Sequence, residues 1–236
     1  MKSLILKICA IQAYFICMYP IANILSDLIL YHIDMDTYNL AVIFEIVIYL
    51  IMFIPILFFM RHELKDSLNV LRKENVSKTI MLILIGCVLA YFCSIIGNLI
   101  TMAIVGKGDG SSMNQSTINV MLSRPFGALL IPILCVVGPI VEELIFRGAI
   151  QGSLEKFKIP KILCVFIAAF LFGMIHITVA WDWEYLPSYM LAGLGFGLMY
   201  YFSKNIYVPI SMHIIYNCIA IWSSYSLILD EMLANL

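Results

Sequence analysis

Long apolar segments separated by short polar ones run through almost the whole chain, and this pattern predicts helices that cross a membrane. At about twenty residues per span, seven helices are predicted, at 4–30, 40–60, 79–105, 126–150, 161–179, 186–203 and 206–229. No clear internal repeat or low-complexity segment interrupts them. We therefore expect an all-α fold, a polytopic membrane helix bundle of about seven transmembrane helices, with residues 1–236 forming a single integral membrane domain.

The composition supports a membrane environment and argues against several other classes of protein. Hydrophobic residues make up 63% of the chain and charged residues 12%, about half of the roughly 25% charged content of soluble domains. The net charge of −1 gives no indication of a nucleic-acid partner, and we expect none. The seven cysteines all lie in apolar segments without a CxxC pair, so the sequence predicts neither a disulfide framework nor a cysteine-based zinc site.

Lysine and arginine residues predict how the bundle is oriented in the lipid bilayer. The N-terminal flank and every second flank after it carry eleven of these residues, and the remaining flanks carry two. Because cytoplasmic loops are enriched in Lys and Arg, we expect a multi-pass protein of the cell membrane with a cytoplasmic N-terminus and an external C-terminus. The first apolar segment is long and no small-residue cleavage site follows it, so we interpret it as a retained span rather than a signal peptide.

The same orientation assigns several polar and aromatic features to the external side. Trp181 and Trp183 lie between two predicted spans, as in an interfacial aromatic belt. The polar segment 106–117, which is rich in Gly, Ser and Asn, is expected to be an external loop. Asp27 and Glu45 lie near the outer ends of the first two spans, where we expect interfacial positions.

Three ionisable residues lie inside the fourth predicted span, where charges are costly and usually mark a functional site. Glu143 and Arg147 are four residues apart with the acid first, the spacing that favours an ion pair on one helix face. We interpret these two residues as a structural pair. Glu142 is rotated by about 100° from Glu143, and Phe146 lies one turn after it, so its carboxylate is available for general acid or base chemistry.

Two later spans carry further polar side chains. His176 follows Phe172 by one helical turn, and His213 and Asn217 are also one turn apart, so the latter two share one face of the last span. Each of these residues could equally be a hydrogen-bonded contact between helices. Their occurrence together with Glu142 favours a common site between the fourth, fifth and seventh spans, in a water-filled cavity that we expect to open toward the cytoplasm.

Straight spans do not place these groups at one depth in the membrane. At about 1.5 Å per residue, Glu142 is about 12 Å from the inner end of its predicted span and His213 about 10 Å, whereas His176 is about 22 Å from Lys161. We expect an interfacial or slanted section within residues 151–165 to remove this difference.

Glycines in two spans predict close helix packing. Gly193, Gly195 and Gly197 are spaced like glycines of a nucleotide-binding loop, but no strand precedes them. The Gly193-x-x-x-Gly197 spacing is better explained by a close contact between helices. Gly173 would likewise let another helix approach the span that carries His176.

Three motifs in this chain resemble, in order, the signatures of the CPBP intramembrane peptidases, also called the CAAX protease and bacteriocin-processing or Abi family. The motifs are Glu142-Glu143-x-x-x-Arg147, Phe172-x-x-x-His176 and His213-x-x-x-Asn217. The resemblance covers about residues 125–225, which would form the catalytic core within the single domain. It implies an endopeptidase of the glutamic type that acts on a peptide or a membrane-protein substrate.

The resemblance also implies a role for the motif residues. Glu142 would be the general base, and His176 would be its partner in holding the attacking water. His213 and Asn217 would donate hydrogen bonds to the oxyanion of the tetrahedral intermediate. The implied enzyme uses no metal or other cofactor.

Several alternatives stay open beside this interpretation. Glu143 and Arg147 match supporting positions of the family, and we keep the structural interpretation for them. In a zinc-dependent variant of the same protease, Glu142, His176 and His213 would hold the metal. Outside the peptidases, the same residues are compatible with a non-catalytic membrane scaffold or a bacteriocin-immunity protein. A transporter is disfavoured because no inverted repeat is evident.

Overall fold

Helices form all the regular structure in the described part of the chain, which comprises residues 2–17, 24, 37–106, 111–157, 159–178 and 180–234 of the computed structural model. We number the helices in chain order as α1 Lys2–Ile16, α2 Thr37–Lys73, α3 Val76–Val105, α4 Met113–Leu122, α5 Gly127–Phe157, α6 Lys161–Ile177, α7 Leu186–Ser203 and α8 Tyr207–Ala234. The prediction of an all-α membrane bundle is confirmed.

Three helices in the described part of the chain are long and apolar enough to cross a membrane. They are Tyr38–Lys73, Val76–Val105 and Gly127–Phe157, and shorter apolar helices cover Leu4–Ile16 and Lys161–Ile177. The count of seven spans, the single domain over 1–236 and the orientation stay predictions. Most of the predicted first span beyond residue 17, with Asp27, lies outside the described residues.

The second predicted span is only the first part of a much longer helix. Charged residues follow Met60, and the sequence therefore predicted an end at residue 60, but α2 continues to Lys73. Its 37 residues correspond to about 55 Å, well beyond the roughly 30 Å of a hydrocarbon core. The charged C-terminal part of α2 therefore extends out of the membrane.

A short helix, α4, lies where the sequence predicted only an external loop. Ser112 caps its N-terminus, since its side chain accepts a hydrogen bond from the backbone N–H of Gln115 at 3.2 Å. The side chain of Ser112 also lies 2.5 Å from the hydroxyl of Tyr189 in α7. The prediction of a loop over 106–117 was therefore wrong from Met113 onward, because a capping serine starts a helix inside the polar segment.

Helix α5 is irregular around the predicted site. Two π-helical stretches, Ile133–Val137 and Leu144–Gln151, flank an α-helical segment, Gly138–Glu143. Pro132 and Pro139 lack the N–H of a regular helix ladder, and π-turns occur mostly at functional sites. The N–H of Gly138 donates to the carbonyl of Ile133 and Pro139 has no N–H, so the carbonyl of Leu134 is available to a side chain of another helix.

Helix α7 packs closely against its neighbours through glycines. A Cβ atom on Gly195 would lie 2.7 Å from Cα of Ala90 in α3, and one on Gly197 would lie 3.0 Å from a methyl group of Val165 in α6. A Cβ on Gly173 of α6 would lie 3.0 Å from the backbone nitrogen of Met190. The predicted close contacts at these glycines are present.

A larger side chain at Gly195 should separate α3 from α7. We expect Gly195→Leu to lower the free energy of unfolding by about 1–3 kcal/mol, because the added atoms overlap the backbone of Ala90 and not a flexible side chain. Phe202→Leu, a change on the same helix at a residue that is 64% exposed, is the control and should have little effect. Thermal unfolding of both purified variants measures the difference, and equal midpoints would contradict the close contact.

Candidate active site

A cavity of about 690 Å³ lies between the helices, and all four predicted catalytic residues line it. These residues are Glu142, His176, His213 and Asn217. They come from α5, α6 and α8, the helices that carry the fourth, fifth and seventh predicted spans. The structure thus brings together side chains that are 75 residues apart in sequence, from position 142 to position 217.

The ion pair expected from the sequence spacing is present and fully buried. Nη1 of Arg147 lies 2.9 Å from Oε1 of Glu143, and both side chains are 0% exposed. Nη2 of Arg147 donates to the carbonyl of Gly193 in α7 at 2.7 Å. The guanidinium also lies 4.6 Å from the ring centre of Phe172 in α6. The pair therefore connects α5 with α6 and α7.

His213 lies between the two adjacent glutamates of α5. Its Nδ1 is 2.9 Å from Oε1 of Glu143, and its Nε2 is 3.8 Å from Oε2 of Glu142. Since the carboxylate paired with Arg147 only accepts hydrogen bonds, the Nδ1–H of His213 donates a hydrogen bond to Glu143. The ring stacks on Phe196 at a centroid distance of 4.4 Å. Nε2 is thereby held toward Glu142 and the cavity.

His176 is fixed in a similar way on the other wall of the cavity. Its Nδ1 lies 2.9 Å from the carbonyl of Phe172, and a carbonyl only accepts, so Nδ1 is the donor. In the neutral ring the lone pair is then on Nε2. The ring stacks on Tyr189 at a centroid distance of 4.6 Å. His176 therefore offers a hydrogen-bond acceptor, and it is close enough to Glu142 to interact with it electrostatically.

Only part of the Asn217 side chain is free to act with His213 as an expected donor to the oxyanion. Its side-chain N–H donates to the carbonyl of Leu134, in the first π-helical stretch of α5, at 2.9 Å. A carboxamide has two N–H donors, so this bond commits one of them and orients the other. The carbonyl that accepts it could not be predicted from sequence, because it depends on the irregular geometry of α5.

Two cavity residues on α2 were not identified from the sequence. The hydroxyl of Tyr49 lies 3.5 Å from Oε1 of Glu142. Glu45, one turn before Tyr49, lines the same cavity, whereas we expected only an interfacial position for it and no part in the site. Position along a span gives depth but not the direction in which a side chain points. The i,i+4 spacing of the two residues was the signal that could have placed them on one face.

The predicted difference in depth disappears because α5 is longer than expected. Glu142 is 15 residues from Phe157, and His176 is 15 residues from Lys161, so both are about 22 Å from the inner ends of their helices. His213 is closer to the start of α8, but that start lies within the bundle, since the preceding Asn205 is buried and bonds to the backbone of Ser67. No slanted section over 151–165 is needed.

The cavity reaches the opposite end of the bundle from the one we expected. Its lining includes residues of the segments 111–118 and 185–189, and none of the turns at the other end of the helices. The charge count places these segments on the external side. The predicted cytoplasmic N-terminus and the predicted cytoplasmic opening of the cavity are therefore incompatible with each other, since with that orientation the lined end faces the exterior.

The residues of the cavity do not form a good zinc site. Among the described residues, no three His, Cys, Asp or Glu side chains are arranged to hold a metal ion. His213 illustrates the reason, because both of its ring nitrogens face the carboxylates of Glu142 and Glu143 at hydrogen-bond or near hydrogen-bond distance. The donor set expected for zinc, Glu142, His176 and His213, is therefore not in a ligating arrangement.

Loss of the charge on Glu143 should destabilise the protein much more than loss of the charge on Glu142. Glu143→Gln leaves the guanidinium of Arg147 buried without a counter-ion, and we expect a loss of about 3–5 kcal/mol of unfolding free energy. Glu142→Gln makes the same chemical change one position earlier, away from Arg147, and serves as the matched control. Denaturant unfolding of the two purified variants tests this. Equal losses would show that the ion pair does not hold the helices together.

Comparison with known proteins concerns the part of the chain that carries the four predicted catalytic residues. Residues 124–219 match a family model described as type II CAAX prenyl endopeptidase Rce1-like. YdiL of Bacillus subtilis (strain 168), provisionally named as a membrane peptidase, is 28% identical over 175 residues, which cover 74% of this chain and 68% of YdiL. The membrane-embedded CAAX protease MroQ of Staphylococcus aureus (strain USA300) is 27% identical over 135 residues, 57% of this chain and 53% of MroQ. No solved structure matches the chain at a significant level.

The family match agrees closely with the region of about 125–225 in which the sequence motifs suggested a resemblance. It contains all three motifs, from Glu142 to Asn217. Both relatives have names that describe membrane peptidases. The family model over residues 124–219 and the two relatives therefore support the CPBP family of Rce1-like membrane peptidases, and the chain is a membrane protein.

Proposed function

We propose that this protein is an intramembrane endopeptidase in which a glutamate activates water for attack on a peptide bond. The observation that carries the proposal is the presence of Glu142, His176, His213 and Asn217 on the wall of one cavity. Amide hydrolysis needs a water, a base and donors for the developing negative charge. Lipid supplies none of these, so the protein has to provide all of them in one place.

Glu142 and His176 would hold and activate the water. The free Nε2 lone pair of His176 accepts a hydrogen bond from the water, which orients the oxygen toward the substrate carbonyl. Glu142 accepts the proton as the oxygen attacks the carbonyl carbon. Tyr49, whose hydroxyl is 3.5 Å from Oε1 of Glu142, lies on the side of the carboxyl group away from His213 and would fix its rotation.

His213 and Asn217 would stabilise the tetrahedral intermediate. With its Nδ1–H bonded to Glu143, the ring of His213 would donate from Nε2 when that nitrogen also carries a hydrogen. Asn217 donates the side-chain N–H that is not bonded to Leu134. As the intermediate collapses, the C–N bond breaks, and Glu142 returns its proton to the leaving amine. The base is thereby regenerated, and the atoms and charges balance over the cycle.

Glu143 and Arg147 would act through His213 and not on the substrate. Both side chains are fully buried, and neither lines the cavity. Glu143 holds the imidazole of His213 in one tautomer and one rotation, while Arg147 balances the charge of Glu143. This supporting role agrees with the structural interpretation made from their spacing.

The substrate would be a peptide or a membrane protein that enters the cavity at the end lined by the segments 111–118 and 185–189. The family description and the names of the relatives, a CAAX protease among them, support cleavage of peptide bonds. With a cytoplasmic N-terminus, that end faces the exterior of the cell membrane. The residues at the mouth are Ser, Thr, Asn, Gln and Tyr side chains of the segments 111–117 and 185–189, which can bond to an extended peptide backbone.

Replacement of Glu142 by glutamine should abolish turnover and leave the fold intact. We expect kcat to fall by at least about 100-fold, because the amide cannot accept the proton of water. Products of a membrane-peptide mixture, identified by mass spectrometry after incubation with purified protein, provide the measurement. Glu184→Gln is the control, since Glu184 is exposed near the same end of the bundle and does not line the cavity.

The same pair of variants separates the other functional classes. A scaffold or immunity protein would keep its cellular phenotype in the Glu142→Gln variant and show no cleavage in the wild type. A transporter would lose pH-coupled uptake. Either outcome would contradict the proposed peptidase.

Metal chelators should leave the activity unchanged, because the side chains of the cavity are not arranged as a zinc site. Cleavage rates measured with and without 1,10-phenanthroline should agree within about twofold, a difference of about 0.4 kcal/mol in the activation barrier. A loss of activity that is restored by added zinc would contradict the metal-free mechanism and favour the metalloprotease variant.

A further inference from the structure

Glu45 is the one acidic residue besides Glu142 among the described lining residues of the cavity, and the mechanism does not use it. It lies on α2, outside residues 124–219 that match the family. No hydrogen bond or ion pair joins its carboxylate to another described residue. The two carboxylates are close enough to repel each other. Glu45 is therefore a carboxylate of the cavity wall for which the described residues provide no ion-pair partner.

The described lining of the cavity supplies no lysine or arginine for Glu45, and the imidazole of His213 is directed at Glu142 and Glu143 instead. Among its described lining residues there is no Lys or Arg, and the only other ionisable groups of basic character are His176 and His213. Arg147 is not available, because it is fully buried and paired with Glu143. The sequence between residues 18 and 36, which connects α1 and α2, also has no Lys or Arg. The cavity is therefore an environment that favours an incoming positive charge.

Two tyrosines line the same cavity as Glu45, and one of them interacts with it directly. Tyr14 of α1 and Tyr49 of α2 both line the cavity, and electrostatic interactions link Tyr49 with Glu45, Tyr14 and Glu142. A carboxylate beside phenol rings is a suitable environment for an ammonium or guanidinium group, through charged hydrogen bonds and contacts with the ring faces.

We propose that Glu45, with Tyr14 and Tyr49, forms a subsite for a positively charged group of the peptide substrate. This inference rests on the proposed peptidase function and adds a substrate preference to it. Glu45 is one helical turn, about 6 Å, from Tyr49, whose hydroxyl contacts Glu142. The charged group is thus about two or three residues of extended chain from the scissile bond. Either a Lys or Arg side chain or a free N-terminal amine has the required chemistry.

Cleavage of matched peptides tests the subsite. Quenched-fluorescent apolar peptides carry Lys, norleucine or Glu at one position, which is moved along the chain, and each has either a free or an acetylated N-terminus. For the wild type, we expect Lys at one or two positions to raise kcat/KM about tenfold over norleucine, about 1.4 kcal/mol. Glu at the same positions should lower it. A preference that depends only on the free N-terminus would identify the amine as the source of the charge.

The Glu45→Gln variant should lose this preference and still cleave the norleucine peptide. Its Lys-to-norleucine ratio should fall to about twofold or less, a remaining difference of about 0.4 kcal/mol, whereas Glu184→Gln should keep the wild-type ratio. A wild-type ratio near one at every position, with either N-terminus, overturns the subsite whatever the variant does. A ratio that persists in Glu45→Gln overturns the assignment of Glu45.

Binding measurements separate failure of the subsite from failure of the peptidase function. Fluorescence anisotropy gives the affinity of the Lys and norleucine peptides for Glu142→Gln and for Glu142→Gln combined with Glu45→Gln. If the wild type cleaves no peptide but the Lys peptide binds about tenfold tighter only when Glu45 is present, the proposed function fails and the subsite stands. If cleavage depends on Glu142 but neither rate nor affinity depends on the charge of the peptide, the proposed function stands and the subsite fails.

Discussion

The buried pair of Glu143 and Arg147 is the interaction on which the rest of the site depends. Both side chains are completely inaccessible, and an isolated charge in such a place would cost several kcal/mol. Glu143 also accepts from His213 of α8, and Arg147 donates to Gly193 of α7. Satisfying the two charges therefore forces α5, α7 and α8 together. The pair leaves two buried atoms without a hydrogen-bond partner among the described residues, Oε2 of Glu143 and Nε of Arg147. Its net contribution to the stability of the fold is therefore small, and its main effect is to position His213.

The features that sequence could predict are those set by local geometry. The Glu143–Arg147 contact follows from an i,i+4 spacing, and the composition alone indicated a helical membrane protein. The link between Glu143 and His213 crosses 70 residues and depends on how two helices pack, which no spacing describes. Glu45 was not assigned to the site for a related reason, since the sequence indicates how far along α2 it lies but not the rotation of α2 about its axis.

The irregular geometry of α5 accounts for several of the remaining differences. Charged and polar residues after 150 suggested the end of a span, yet the helix continues through further short turns to Phe157. The carbonyl of Leu134 accepts from Asn217 because the N–H of Gly138 donates to Ile133 and Pro139 has no N–H for the next bond. The carbonyl of Gly148 accepts from Lys7. The departure from regularity thus anchors a site residue at one end of α5, and the first helix is bound at the other.

That first helix has a consequence for how the protein can be handled. Lys7 forms an ion pair with Glu63 at 2.6 Å, and Glu63 also accepts from the hydroxyl of Tyr200, while Tyr14 contributes to the wall of the cavity. Polar contacts thus hold this helix to α2 and α5, and its removal would take away the ion-pair partner of Glu63 and part of the cavity wall. Shortened versions made for crystallisation should keep it.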